Sequence, residues 1–361
     1  MTSLKDLYDK GGQSPWLDNV RRDWLRDGTM AGLVAEGIRG VTSNPTIFAK
    51  ALEATDLYDE QVRRLSDETP DDAFVELASR DITDVADLLS PVFQSSGGTD
   101  GFVSFEVPPT LADDTDATVE AARSISKRFS LANLFVKVPA TAAGIPAITA
   151  LLADGISVNV TLIFGLSRYA EVIDAFFAGL EQASASGREL GAIASVASFF
   201  VSRVDTEVDG RLDALGADSS LKGRAAVAQA QLAYEQFSTS FAGPRFAALK
   251  AKGAQLQRPL WASTSTKNPA YPDLLYVDTL IGPDTVNTMP DATIAAYRDH
   301  GTLARTVDAD AAGATATLAA IEAAGVDMGD VATTLERKGV ATFADSYAEL
   351  LRTIESKRAA T

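Results

Sequence analysis

LFVKVPAT, Leu134–Thr141, sets one lysine inside an apolar run: Leu134, Phe135, Val136 and Val138 surround Lys137. A short continuous apolar run of this kind reads as a buried strand. Lysine is almost never fully buried unless something pairs with it. Strand alternation puts Phe135, Lys137 and Pro139 on one face and the two valines on the other. If the valines meet surrounding helices, Lys137 points into the interior of a barrel.

Runs of the same type recur on both sides. They are SPWLDNV from Ser14, GVTSN from Gly40, GFVSFEV from Gly101, ISVNVTLIF from Ile156, IASVASFFV from Ile193, PLWASTS from Pro259 and LLYVDTLI from Leu274, eight in all with LFVKV. Helical patterns lie between most of them. Val172, Ile173, Phe176, Phe177 and Leu180 form one apolar stripe, and Val119, Ala122, Ile125 and Phe129 another. Asn44 before Pro45 fits a capped helix start. Alternation of this kind predicts an α/β fold, a (β/α)8 barrel, as one domain over 1–361 with strands at about 14–282. A doubly wound sheet is the alternative, but its glycine-rich fingerprint after the first strand is missing. Residues 46–100 and 204–258 are each long enough for two or three helices. Residues 291–361 read as a helical segment that can pack across one barrel end.

Composition narrows the chemistry. The 361 residues include no cysteine and one histidine, His300. Disulfides, thiolate nucleophiles, His-based triads and multi-histidine metal sites are excluded. Acid–base work must rest on carboxylates, lysine, tyrosine or water. The net charge of −17 argues against nucleic acid or anionic membrane as a partner, though a few local cations can still hold a small anion. No apolar run reaches membrane-spanning length, and the polar start MTSLKDLYDKGG is not a secretory signal, so a cytoplasmic protein is expected.

Catalytic side chains of such barrels come from the C-terminal ends of the strands. The first strand offers Asp18, the second Thr42, Ser43 and Asn44, the third Glu106 and the fourth Lys137. The fifth offers Asn159 and Thr161, the sixth Ser198 and Arg203, and the seventh Ser263, Ser265 and Lys267. Each alone also fits a cap, a turn or a surface ion pair. Convergence on one barrel mouth is what points to chemistry. A desolvated lysine is a nucleophilic amine whose distinctive reaction is Schiff-base formation with a carbonyl. The protonated imine is an electron sink that permits cleavage of a neighbouring carbon–carbon bond. One carboxylate is then needed for carbinolamine formation and dehydration, and a second for the hydroxyl proton at the cleaved bond. Asp18 and Glu106 can fill these roles, with Arg203, Lys267 and Ser265 as a phosphate clamp.

Taken in order, VTSNPTIF, SFEV, LFVKVPAT, VNVTLIF and SFFVSR resemble the transaldolase family. The resemblance spans about residues 14 to 290. It implies a class I aldolase barrel whose Schiff-base lysine is Lys137. It implies that Asp18 is the base of the aldol step and that Glu106 works through a water during imine formation. Asn44, Asn159 and Thr161 match residues that hold the ketose and that water. Ser198, Phe200 and Arg203 match the motif that lines the pocket and binds phosphate. Two departures stand out: Phe199 where many members carry proline, and Lys267 where an arginine is common. The implied activity is transfer of a dihydroxyacetone unit in the non-oxidative pentose phosphate pathway. Donors would be sedoheptulose 7-phosphate or fructose 6-phosphate, and acceptors erythrose 4-phosphate or glyceraldehyde 3-phosphate. The implied enzyme uses no cofactor and no metal.

Overall fold

The computed structural model describes residues 2–359. Seven strands form one parallel sheet: β1 (Gln13–Leu17), β2 (Val103–Glu106), β3 (Leu134–Pro139), β4 (Val158–Ile163), β5 (Ser195–Phe200), β6 (Gln257–Ala262) and β7 (Thr285–Met289). Their order is β1-β7-β6-β5-β4-β3-β2, so β1 and β2 are the two ends. Residues 39–42 fill the gap between them. Val41 bridges Leu17 on one side and Val103 on the other. The hydrogen bonds run from Leu17 N to Gly40 O, Thr42 N to Leu17 O, Val41 N to Phe102 O and Ser104 N to Val41 O, each 2.9 Å. The sheet thus closes into a barrel with eight staves, and no strand edge is left beside β1 or β2.

Sequence explains the closure locally. Trp16 fills the barrel interior, and a Cβ on Gly40 would stand 2.3 Å from its indole. Glycine lets this stave pass beside the ring. Phe135 stacks on Phe102 at 4.0 Å and on Trp16 at 6.1 Å, so it lies inside the barrel below Lys137. On β4 the register slips between Val160 and Ile163, and Leu162 takes φ 60°. The bulge re-aims the strand end that carries Thr161.

One expected strand is overturned. The run from Leu274 is not the eighth strand. Its core, Leu275–Asp278, is a short helix, and β7 at Thr285–Met289 closes the barrel instead. The run follows Pro272, which suits a turn or a helix start better than a central strand. The real strand, TVNTM, is half polar because Thr285 and Asn287 are buried among polar partners. It carries a weaker apolar signal than the helix before it.

The long gaps hold helices as expected. Pro45–Ala54, Asp59–Arg64 and Pro70–Ser95 occupy the first; Asn44 accepts a hydrogen bond from Ile47 N and caps the first of them. Ser202–Leu215, Ala225–Ala242 and Pro244–Lys250 occupy the second. The C-terminal segment ends in a 32-residue helix, Met328–Ala359, which crosses the barrel mouth. No helix among the described residues is long and apolar enough to cross a membrane.

Candidate active site

Strand register brings the candidate residues to one level. Glu106 pairs with Lys137, Lys137 with Asn159, and Pro139 with Thr161 across neighbouring strands. Lys137 is 5% exposed, yet it is not an orphan charge. Its Nζ lies 3.4 Å from Glu106 Oε2 and donates to Ser43 O at 3.2 Å. Of the run that carries it, Lys137 alone reaches the wall of a small chamber of about 120 Å³. Asp18, Thr161, Ser198 and Arg203 share that wall with Lys137.

A polar floor supports the chamber. Ser198 donates to Asn159 Oδ1 at 2.7 Å, and Asn159 Nδ2 donates to Ser104 Oγ at 3.0 Å. Ser43 Oγ donates to Ser104 O at 2.7 Å, which fixes the carbonyl that receives Lys137. Asn159 is fully buried and does not itself line the chamber. It meets the chamber through Ser198, from whose hydroxyl it accepts a hydrogen bond.

Two oxygens in this region are buried without a hydrogen bond among the described residues: Glu106 Oε2 and Thr161 Oγ1. Buried polar atoms are nearly always satisfied, and each exception calls for an explanation. Burial pushes the Glu106 carboxyl above the usual range, and nearby Asp18 adds to this, against the pull of Lys137. Asp18 is half-buried. Desolvation raises its carboxyl too, opposed by the Thr42 hydrogen bond at 2.6 Å and by the charges of Lys137 and Lys267. Thr288 supports that contact, its hydroxyl 2.7 Å from that of Thr42. These are two acids held toward the neutral form beside one amine, a pairing typical of sites built for proton transfer.

Cations collect on the outer side. The Arg203 side chain makes no hydrogen bond or ion pair among the described residues. Its guanidinium lies between the rings of Phe200, 5.4 Å away, and Phe343, 5.8 Å away. Desolvation lowers its pKa. Lys267 is exposed and donates to Ser265 Oγ at 2.6 Å. Its pKa is lowered by desolvation and by the Arg203 charge. Two cations held this close are the receptor an anionic group needs. Ser263, at the end of β6, also lines the chamber with φ 58°, a left-handed conformation that non-glycine residues rarely adopt. Asn44 spends Oδ1 on its helix cap and lines both the chamber and an outer vestibule of about 450 Å³. Phe199 points away from the chamber and packs on Tyr169 and Trp261. That departure from the family pattern is therefore a matter of the outer core.

Sequence reasoning missed Thr288 and Phe343. Thr288 sits on the strand that was misplaced, so its position had no meaning. Phe343 belongs to a helix far along the chain, where an aromatic at helical spacing reads as ordinary core.

Known proteins resemble this chain over nearly its whole length. The family profile described as Transaldolase/Fructose-6-phosphate aldolase matches residues 15–354. A protein named Transaldolase from Frankia alni is 52% identical over 349 residues, which cover 95% of this chain and 94% of that one. A transaldolase of Saccharopolyspora erythraea is 49% identical over 360 residues, covering 99% and 98%. One from Thermobifida fusca is 50% identical over 363 residues, again 99% and 98%.

Proposed function

This chain belongs to the transaldolase/fructose-6-phosphate aldolase family, and on that premise we infer that it is a transaldolase acting through a Schiff base on Lys137. The observation that carries the reading is a lysine buried at the barrel mouth with a carboxylate oxygen 3.4 Å from its nitrogen. Lys137 Nζ attacks C2 of the donor ketose phosphate and gives a carbinolamine. Glu106 moves the protons as the carbinolamine loses water. The departing water meets two acceptors with unused valences, Glu106 Oε2 and Thr161 Oγ1. The protonated imine then draws the electrons of the C3–C4 bond. Asp18 takes the proton of the C4 hydroxyl, and the aldose phosphate leaves. The enamine left on Lys137 attacks the carbonyl of the acceptor, Asp18 returns the proton, and hydrolysis releases the new ketose.

Arg203, Lys267 and Ser265 form the phosphate end of the site in this reading. Lysine at 267 binds as a point charge, so the bidentate fork falls to Arg203 alone. Asn44, Ser198 and Phe200 line the ketose, and Asn159 holds Ser198 and the floor. The substrates are the sugar phosphates of the non-oxidative pentose phosphate pathway, and the enzyme works as one barrel domain in the cytoplasm. Mixing fructose 6-phosphate with erythrose 4-phosphate should yield sedoheptulose 7-phosphate and glyceraldehyde 3-phosphate. Release of free dihydroxyacetone with no seven-carbon product would instead make it an aldolase of the same family.

A further inference from the structure

We propose that Phe343, on the C-terminal helix, decides whether the three-carbon intermediate is transferred or lost to water, and that it orients Arg203 for the substrate phosphate. The proposal rests on the Schiff-base reading above and adds to it a residue from outside the barrel strands.

Phe343 is 5% exposed, and its ring stands 5.5 Å from Lys137 Nζ and 5.8 Å from the Arg203 guanidinium. It lines both the inner chamber and the vestibule, so its ring is part of the partition between them. A ring face beside two cations gains electrostatic attraction from both. It also offers water no hydrogen bond on the path to the imine.

The helix that carries Phe343 is fastened on both sides of the mouth. Asp330 pairs with Arg211 at 2.6 Å and Lys338 with Glu207 at 2.7 Å. Gly339 lies against Leu162 and Phe164, and a Cβ there would come within 3.1 Å of Leu162. Past Phe343, Ser346 accepts from Thr46 at 2.8 Å and Tyr347 donates to Asp71 at 2.7 Å. Lys357 pairs with Asp59 at 2.6 Å. The helix is therefore a strap, and the ring is a fixed wall.

The chemistry requires such a wall. After the aldose leaves, the enamine carbon of the intermediate has two fates. It can form a carbon–carbon bond to the acceptor aldehyde, whose oxygen takes a proton. Or it can take a proton from solvent, after which water adds to the imine carbon, the carbon–nitrogen bond breaks, and dihydroxyacetone and the Lys137 amine are released. Shielding slows the second fate and leaves the first to the acceptor bound through its phosphate.

The test compares wild type with Phe343→Ala, Phe343→Leu and Phe343→Tyr. Two quantities are read: the ratio of dihydroxyacetone release to transfer, and KM for glyceraldehyde 3-phosphate relative to unphosphorylated glyceraldehyde as acceptor. Phe343→Ala should raise the release ratio roughly tenfold and weaken the preference for the phosphorylated acceptor by a similar factor. Phe343→Leu should keep most of the shielding but lose the phosphate preference, and Phe343→Tyr should behave as wild type. If Phe343→Ala does not fold, the leucine and tyrosine variants carry the same comparison of ring lost against ring kept. A release ratio and acceptor preference within twofold of wild type, even with slower turnover, would overturn the proposal by reducing Phe343 to core packing. Wild type is first reduced with borohydride in fructose 6-phosphate: absence of an adduct on Lys137 would remove the Schiff-base reading and this proposal with it. An adduct with unchanged ratios would remove the proposal alone.

Discussion

The two ends of the barrel use the same residue types in opposite ways. At the bottom, Asp100 is fully buried and saturated. Its Oδ1 accepts from Trp16 at 3.0 Å and Arg258 at 2.9 Å, and its Oδ2 from Ser14 at 2.7 Å and Arg39 at 2.8 Å. Burial pushes its carboxyl up, but the two arginines outweigh that and hold it below the usual range. At the mouth, Glu106 Oε2 and Thr161 Oγ1 have no hydrogen bond among the described residues, Arg203 is unpaired, and burial raises both Asp18 and Glu106. A satisfied network gives rigidity. An unsatisfied one leaves donors and acceptors for a substrate to complete. Gln13 Oε1 and Gln257 Oε1 are also unbonded at the bottom, so what marks the mouth is that its unbonded oxygens stand beside an amine and an unpaired guanidinium.

That contrast breaks in a defined order if it is wrong. The largest effect belongs to Lys137→Met, which should lower transfer by on the order of 10⁴-fold or more, measured by coupled assay. Asp100→Ala comes next. It strands two guanidinium groups and should cost about 3–5 kcal/mol of stability in urea unfolding, while the folded fraction keeps near-normal turnover. A large loss of kcat with unchanged stability would assign Asp100 to the site and dissolve the comparison. Arg203→Ala should raise KM for phosphorylated substrates roughly 10- to 100-fold, the worth of charge-assisted hydrogen bonds, with little change for unphosphorylated glyceraldehyde.

The smallest effect sharpens the contrast through pH. Glu106 holds its proton more tightly folded than unfolded, so stability falls as pH rises from the ordinary carboxylate range through its raised pKa. Glu106→Gln escapes this loss and should melt higher relative to wild type at neutral pH than near pH 4, where the difference fades. Asp100 has the opposite sign. Its contribution is complete above about pH 4 and is lost as pH falls further, so Asp100→Asn should flatten the acid limb of the stability curve.

Much of this was legible in the sequence because barrel strands write a simple code. Lys137, with valines on either side, declared its face, and Glu106 stood near the end of the apolar run GFVSFEV. The strands that failed the code were the polar ones. TVNTM buries Thr285 and Asn287, so no alternation of apolar and polar residues marks it, and Thr288 went unseen with it. Asp100 sits in GGTDG, which reads as a turn, because the arginines that claim it come from residues 39 and 258. Phe343 lies further still from the strands it covers. Contacts made across such separations leave no local pattern, and only the folded chain brings them together.

The central claim is that Lys137 carries the reacting carbon. Sodium borohydride reduction in the presence of fructose 6-phosphate, followed by peptide mapping, tests it directly. A single three-carbon or six-carbon adduct on the peptide that contains LFVKVPAT, at Lys137, is the result expected. No adduct, or an adduct on another lysine such as Lys267, would contradict it.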